Sequence, residues 1–129
     1  MKQITLTKSE REIMDLLWNT DRPLTATEIV NLTPERTWKK SYIHLLINSL
    51  LQKEMIKSEA LVRTGKNFGR AFAAVATREE FEIRQITGRK SFTQDSVIAL
   101  FSVLLESVDD PSILDELERV MQEKKELLK

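Results

Sequence analysis

Cysteine is absent from this chain of 129 residues, and His44 is its single histidine. These absences exclude disulfides, thiolate metal clusters, a cysteine nucleophile and multi-histidine zinc sites. The three glycines form no glycine-rich phosphate loop, and no apolar run approaches the about 20 residues that a membrane span needs. Because residues 1–5 do not begin a signal peptide either, we expect a cytoplasmic protein with no membrane partner.

The overall composition is that of a soluble globular protein, with 41% apolar and 31% charged residues. The length suits one domain, or a small domain with an extension. The carboxylates of Asp109 and Asp110 precede Pro111, which is typical of a helix N-terminus rather than of acid–base catalysis. With no nucleophile motif in the sequence, we expect no enzymatic activity, no metal site and no cofactor.

Charge is distributed unevenly along the chain, although its 20 basic and 20 acidic residues balance. Residues 1–76 carry a net charge of +4, and residues 77–129 carry a net charge of −4. Residues 36–70 hold eight basic and two acidic side chains, an excess of the kind that phosphate binding uses. From composition alone, a solvated charged surface is as good an explanation as phosphate binding. The positions of these side chains must decide between the two.

Two helices are predicted before residue 35. Residues Thr7–Glu10 match a capping box, which opens a helix from Lys8 to about Asn19. Leu24–Thr25 is a candidate short strand. Either Thr25 or Thr27 then caps a short second helix.

The third predicted helix, from about Lys39 to Lys53 with Thr37 as its N-cap, has two contrasting sides. Its apolar side consists of Ile43, Leu46, Ile47, Leu50 and Leu51. Its opposite side consists of Ser41, Leu45, Asn48 and Gln52, with His44 and Ser49 at the margins. No acidic residue lies on that opposite side. Since phosphates repel carboxylates, this absence favours a helix that lies against DNA.

A β-hairpin follows, with predicted strands at 57–63 and 71–77 around the glycine-containing loop 64–70. The basic and amide side chains near its tip are Arg63, Lys66, Asn67 and Arg70. They either protect an exposed strand edge or form a wing that grips the DNA backbone or minor groove, and the preceding helix favours the wing. The order helix, short strand, helix, helix, hairpin predicts a winged helix-turn-helix domain over residues 1–76.

Helices dominate the second half, which we assign to a separate domain over residues 77–129. They are predicted from Thr77 to about Ile86, from 93 to 108, and from Pro111 to about Leu128, which makes the fold class mostly α (α+β). The middle helix is apolar nearly all round, so other elements must cover it on several sides. We therefore expect a C-terminal helical region that forms a homodimer. The candidate dimerisation residues are Val97, Ile98, Leu100, Phe101, Leu104, Leu105, Leu114, Leu117 and Met121.

Several strings of the N-terminal half match one family pattern. They are Leu6–Trp18, Thr25–Ile29, Thr37-Trp38, Leu50-Leu51 and, in the hairpin, Gly69-Arg70-x-Phe72. Together they resemble the penicillinase-repressor family (the BlaI/MecI/CopY type) over about residues 4–76. The resemblance implies a homodimeric transcriptional repressor that binds a palindromic operator through its winged helix and dimerises through C-terminal helices.

Departures from the family pattern bear on how such a repressor is released. The copper-responsive branch carries C-terminal cysteines, and their absence here excludes copper sensing. In the β-lactam-responsive branch a protease cleaves an Asn-Phe bond in the first dimerisation helix, where this chain reads Leu100-Phe101. The resemblance therefore implies a candidate cleavage position at Leu100 and Phe101, and a sensor-linked protease as a further partner. At the end of the third helix, Gln52, Lys53 and Glu54 stand where the family has a lysine pair before glycine.

The predicted DNA-binding residues in and before the third helix are Trp38, Lys39, Lys40, Ser41, Tyr42, Leu45 and Asn48. Lys39 and Lys40 lie in the first turn, where cations oppose the helix dipole, so phosphate contact is favoured over a role within the helix. Asn48 suits adenine, and Leu45 suits a thymine methyl group. Trp38 either packs on the core or donates its indole N–H to a phosphate, and Tyr42 contacts either the DNA backbone or a base.

The sequence thus predicts a homodimeric repressor whose partners are operator DNA and a second copy of itself. The alternative is a winged helix that serves as a protein-interaction module without sequence-specific DNA binding. A neutral total charge and an apolar C-terminal half would suit that alternative. The acid-free side of the third helix and the basic hairpin favour DNA.

Overall fold

Threonine hydroxyls start three helices in the computed structural model, which describes residues 4–64 and 67–129. Thr7, Thr25 and Thr77 each accept the backbone N–H of the glutamate three positions later, at 3.2, 3.2 and 3.1 Å. Glu10 and Glu28 in turn accept the backbone N–H of their capping threonine. These bonds satisfy donors that helix N-termini leave free. They confirm the predicted starts of these helices and select Thr25 over Thr27 as the cap of the second.

The elements follow the predicted order. They are α1 (Lys8–Trp18), β1 (Leu24–Thr25), α2 (Ala26–Asn31), a 3-10 turn (Lys40–Tyr42), α3 (Ile43–Gln52), β2 (Ile56–Thr64), β3 (Asn67–Ala74), α4 (Arg78–Thr87), α5 (Gln94–Leu105) and α6 (Pro111–Leu127). Helices with one small sheet confirm the predicted mostly α (α+β) class. Within residues 4–64 and 67–129, no helix has both the length and the apolar character needed to cross a membrane.

The three strands form one antiparallel sheet in the order β1-β3-β2. The first hairpin strand, β2, is confirmed to within one residue at each end. The second strand was expected at 71–77, but β3 runs from Asn67 to Ala74. It ends early because Thr77 turns away to cap α4, and because the Ala76 carbonyl accepts the indole N–H of Trp18 at 3.0 Å.

The core lies where α1, α3 and the sheet meet. Ile13 and Met14 of α1, Leu24 of β1, Ile29 of α2 and Leu50 of α3 are completely buried. Burial of such aliphatic side chains is the main favourable contribution to folding. The predicted apolar side of the third helix is confirmed, because every one of its members is buried or packs against this core.

The charged side chain of Glu10 in α1 is buried beside this core, with 1% of its surface exposed. Its two carboxylate oxygens accept hydrogen bonds from Ser49 Oγ at 2.6 Å and from Lys53 Nζ at 2.7 Å. Burial raises the pKa of Glu10, but the hydrogen bonds from Lys53, Ser49 and the Thr7 backbone outweigh it and lower the pKa from 4.5 to about 2. Glu10 is therefore ionised in the folded protein and joins α1 to α3.

The end of α3 has an unusual backbone at Glu54, whose φ is 59°. The N–H of Glu54 donates to the Leu51 carbonyl and the N–H of Met55 donates to the Leu50 carbonyl, both at 3.0 Å. This pattern is a Schellman motif, which normally has glycine at the left-handed position because a Cβ atom is disfavoured there. Glutamate takes that position here.

The N-terminal compact unit extends to Arg89, so α4 belongs to it, whereas the predicted domain boundary lies after residue 76. Phe81 of α4 is buried and packs on Trp18 of α1 with ring centroids 5.5 Å apart. The Arg78 guanidinium lies over the same Trp18 ring and forms an ion pair with Asp15 at 3.5 Å. These aromatic and cation–π contacts join α4 to α1.

Residues 90–129 form a second compact unit that contains α5 and α6. Asp110 caps α6 by accepting the Ser112 N–H at 3.0 Å, and Pro111 takes the first helical position as predicted. Helix α5 ends at Leu105, three residues before the predicted end at 108. All residues of this unit are described, and none of them is buried within the single chain.

The nine candidate dimerisation residues all lie on α5 and α6 and are exposed or half-buried. Ile98 and Leu104 of α5, for example, are 67% and 56% exposed. The candidate cleavage position Leu100-Phe101 lies inside α5, where both side chains are half-buried. Its backbone is therefore helical rather than extended.

Replacing Glu10 by glutamine should make the stability of the fold less dependent on pH. The low pKa of Glu10 in the folded state stabilises the fold fully above its unfolded value of 4.5, and this stabilisation is lost as the pH falls towards about 2. At pH 7 the contribution amounts to about 3 kcal/mol. Urea unfolding of the wild type and Glu10→Gln should show a stability gap that shrinks steadily below about pH 5. A gap that stays constant down to low pH would contradict this assignment.

Candidate nucleic-acid interface

The recognition segment, residues 39–52, begins with a 3-10 turn and continues as α3. No side chain caps either part. The prediction that Thr37 caps this helix is wrong, because its hydroxyl donates to Glu12 Oε2 of α1 and its N–H donates to Glu12 Oε1 at 3.0 Å. Without a capping side chain, the first turn is the tighter 3-10 form, which is frequent at helix ends.

The exposed side of the recognition segment carries no acidic residue, as predicted. Its exposed members are Lys39, Lys40, Ser41, Tyr42, His44, Leu45, Asn48 and Gln52. Leu45 is a large apolar side chain with 67% of its surface in solvent. Ser49 departs from this set, because its hydroxyl turns towards Glu10.

The basic side chains of residues 36–70 are not equivalent. Lys53 is paired with buried Glu10, and Arg36 donates to the carbonyls of Val30 and Thr33, each at 3.3 Å. Lys39 and Lys40, by contrast, are exposed and form no ion pair with any residue the structure describes. Within the recognition segment and its flanks, the charge available to an external partner therefore lies at the beginning rather than at the end.

Three of the four remaining predicted residues lie on the wing hairpin, β2 and β3. Arg63 and Asn67 lie at its far end, where Arg63 pairs with Phe68 and Thr64 pairs with Asn67. Lys66 lies outside the described residues. Arg70 lies away from this end, opposite Leu61 and next to Ala71, which pairs with Thr25 of β1. Its exposed guanidinium lies 5.2 Å from the centre of the Phe72 ring.

A cleft of about 280 Å³ brings the recognition segment and the wing hairpin together. Asn48 and His44 of α3, Arg70 of β3 and Thr27 of α2 all line it. The sequence predicts Asn48 and Arg70 as separate DNA contacts. It does not predict Thr27, whose only local signal is a polar side chain at the start of α2. The fold thus brings polar side chains from three separate segments into one cleft.

Comparison with known families decides what kind of protein presents this surface. The family model described as penicillinase repressor matches residues 6–123. The chain belongs to the penicillinase repressor family. The match confirms the resemblance seen at residues 4–76 and extends it through most of α6. Proteins of this family are DNA-binding transcriptional repressors and not enzymes.

Solved structures of bacterial regulators are similar to this repressor in part. The adhesin competence repressor AdcR of Streptococcus pyogenes is 18% identical over 95% of this chain and 82% of that chain, with a TM-score of 0.43. Staphylococcus aureus MarR, solved with salicylate and kanamycin, is 16% identical over 95% of this chain and 73% of that chain, with a TM-score of 0.42. Helicobacter pylori Fur, the ferric uptake regulator, is 19% identical with a TM-score of 0.43, and the match covers 58% of this chain and 49% of Fur. No protein of curated function matches the sequence.

Trp38, for which two roles were open, packs in the core of this repressor with 6% of its surface exposed. Its indole nitrogen is buried and has no hydrogen-bond partner among the described residues. The Arg36 guanidinium covers its ring at 5.4 Å from the centre. The indole N–H does not reach the surface where a phosphate would lie.

Replacing Trp38 by phenylalanine should leave DNA affinity and its salt dependence unchanged, because the N–H and the part of the ring that this change removes both lie in the interior. Trp38→Ala should destabilise the fold by about 3–5 kcal/mol because it leaves a cavity. Urea unfolding and fluorescence anisotropy with DNA measure the two effects. If Trp38→Phe folds normally but binds DNA more weakly with a shallower salt slope, the indole does contact a phosphate.

Proposed function

We propose that the protein is a homodimeric repressor that binds a palindromic operator through α3 and the wing hairpin. The observation that carries this proposal is the exposed side of the recognition segment, which is free of acidic residues and two of whose members, His44 and Asn48, line one cleft with Arg70 of the hairpin. An ordinary solvent-facing surface on a chain with 31% charged residues would include carboxylates. Their absence is what contact with phosphates and base edges requires.

Affinity is expected to come mainly from phosphate contacts. Lys39 and Lys40 are exposed, lack ion pairs among the described residues, and lie at a helix N-terminus where they add no stability to the helix. Arg63 and Arg70 of the hairpin add further positive charge, as does Lys66 between its two strands in the sequence. Neutralising phosphates releases counterions, so binding should weaken steeply as the salt concentration rises.

Sequence preference is expected to come from the middle of α3. Asn48 presents an amide, which pairs with the N6 and N7 positions of adenine in the major groove. Leu45 is an exposed apolar side chain one turn earlier, which suits a thymine methyl group. Tyr42 and Ser41 precede them on the exposed 3-10 turn.

The C-terminal helices support a dimer, because they present large apolar side chains that the single chain leaves in solvent. Exposed apolar area of this extent on a soluble protein marks an interaction surface. A two-fold dimer would present two copies of α3 to successive major grooves about one helical turn apart, which requires an operator with two inverted half-sites.

The direct test is fluorescence anisotropy with a duplex that the wild-type protein selects from a random pool. Binding to this selected duplex should survive an excess of its base-scrambled version and should weaken with salt. If no sequence is enriched and a confirmed dimer fails to bind DNA at low salt, the protein-interaction alternative is favoured instead.

Two substitutions should separate phosphate contact from base contact. Lys40→Glu should weaken binding to the selected and scrambled duplexes alike and reduce the salt slope by about one per recognition helix. Asn48→Ala should cost about 1–3 kcal/mol of affinity for the selected duplex only. Lys90→Glu changes the net charge equally outside the recognition segment and is the control. Normal binding by Lys40→Glu would show that α3 does not dock as proposed.

Leu104→Asp should convert the dimer into a monomer, because it introduces a charge into an apolar surface that the partner covers. Sedimentation velocity should show a mass near 15.0 kDa for this variant and about twice that for the wild type. Ala99→Asp, on the opposite side of α5, is the matched control and should remain dimeric. A dimeric Leu104→Asp protein would exclude this side of α5 from the interface.

A further inference from the structure

Two carboxylates of helix α1 hold the chain near the two ends of the recognition segment. Glu12 accepts the N–H of Thr37 at 3.0 Å and also its hydroxyl, two residues before the segment begins. Glu10 accepts Ser49 Oγ at 2.6 Å and Lys53 Nζ at 2.7 Å, where the segment ends. The segment that carries the proposed DNA contacts is thus bracketed by two attachments to one helix.

The attachment at Glu10 is the more restrictive of the two. The carboxylate is buried, whereas Glu12 and Thr37 are partly accessible. Lys53 also donates to the Thr5 carbonyl at 2.7 Å, so the end of α3 is bonded to two points before and within α1. Charge-assisted hydrogen bonds of this kind are short and depend on direction.

Apolar packing alone does not fix a helix in the same way. Ile43, Ile47 and Leu50 hold α3 on the core, but the hydrophobic effect is non-directional and tolerates small shifts along or around a helix axis. A shift of α3 would stretch the bonds from Ser49 and Lys53 to Glu10 at once and leave a buried carboxylate unpaired, which is costly. Glu10 therefore defines the register of α3.

We propose that Glu10 is a positioning residue for DNA recognition, which holds α3 in the register that presents Asn48 and Leu45 to the bases. This inference rests on the proposed function, since it presumes that α3 reads DNA. It gives Glu10 a role beyond its capping bond to Thr7. Glu10 itself does not touch DNA in this arrangement.

Charge and positioning predict opposite effects of neutralising Glu10. Glu10→Gln removes a negative charge and leaves Lys53 unpaired, so electrostatics alone would strengthen binding to any DNA. Loss of register would instead weaken binding to the selected duplex, while binding to the scrambled duplex stays unchanged or strengthens. A fall in the ratio of the two affinities therefore indicates loss of register, because neither added charge nor a general loss of stability would lower this ratio.

The chain provides a matched control in Glu28. It forms the same capping box, accepting the Thr25 N–H at 3.0 Å, and its other oxygen pairs with Arg22 at 2.8 Å on the surface rather than with α3. Glu28→Gln thus removes the same charge from the same type of cap. Glu28 differs from Glu10 in being half-buried rather than buried and in having no link to the recognition helix.

The experiment measures the affinities of wild type, Glu10→Gln and Glu28→Gln for the selected and scrambled duplexes by anisotropy, at a temperature where circular dichroism shows all three folded. We expect Glu10→Gln to lower the selected-to-scrambled ratio by roughly tenfold, the equivalent of one good base contact, and Glu28→Gln to leave it unchanged. Ser49→Ala, which keeps every charge, should lower the ratio in the same direction and carries the test if Glu10→Gln does not fold.

An unchanged ratio in Glu10→Gln, or in Ser49→Ala if that variant carries the test, overturns the positioning role. An equal fall of the ratio in Glu28→Gln also overturns it, because the effect would then belong to charge or capping. A wild-type protein that does not distinguish the two duplexes contradicts the proposed function itself, which separates the two failures.

Discussion

The buried carboxylate of Glu10 is the constraint on which the arrangement of the N-terminal unit depends. A single ionised group in an apolar core must have partners, and those available come from the backbone of Thr7 and the side chains of Ser49 and Lys53. Since Ser49 and Lys53 belong to the end of α3, helix α3 can adopt few positions against α1. The apolar core supplies most of the stability, while this carboxylate restricts the geometry.

Contacts within the fold, including the one with Glu10, distinguish basic residues that stabilise the fold from basic residues that remain available to a partner. Lys53 and Arg36 are directed towards the protein, to a carboxylate and to backbone carbonyls. Lys39 and Lys40 extend into solvent from the other end of the recognition segment. The positive surface is therefore smaller than the sequence count indicates, and it lies beside the cleft where α3 meets β3.

The sequence predicts those parts of the structure that depend on local signals. Capping boxes at Thr7 and Thr25, the periodic apolar side of α3 and the order of the elements all belong to this class. The rest depends on contacts between distant residues, such as Glu12 with Thr37, 25 positions away, and Lys53 with Glu10, 43 positions away. No local pattern distinguishes a lysine that pairs with a buried carboxylate from one that is exposed to solvent. No local pattern predicts that α4 packs on Trp18 either.

Glu54 occupies a backbone position whose energetic cost is opposed by a contact of its neighbour. The resemblance to the family places a glycine there, and the left-handed backbone of residue 54 explains why glycine suits this turn. Glutamate fits the same backbone only at an energetic cost, and the pairing of its neighbour Lys53 with Glu10 opposes unwinding of this helix end. The stability of this helix end therefore depends on residues 10, 53 and 54 together, and substitutions at these three positions should have non-additive effects.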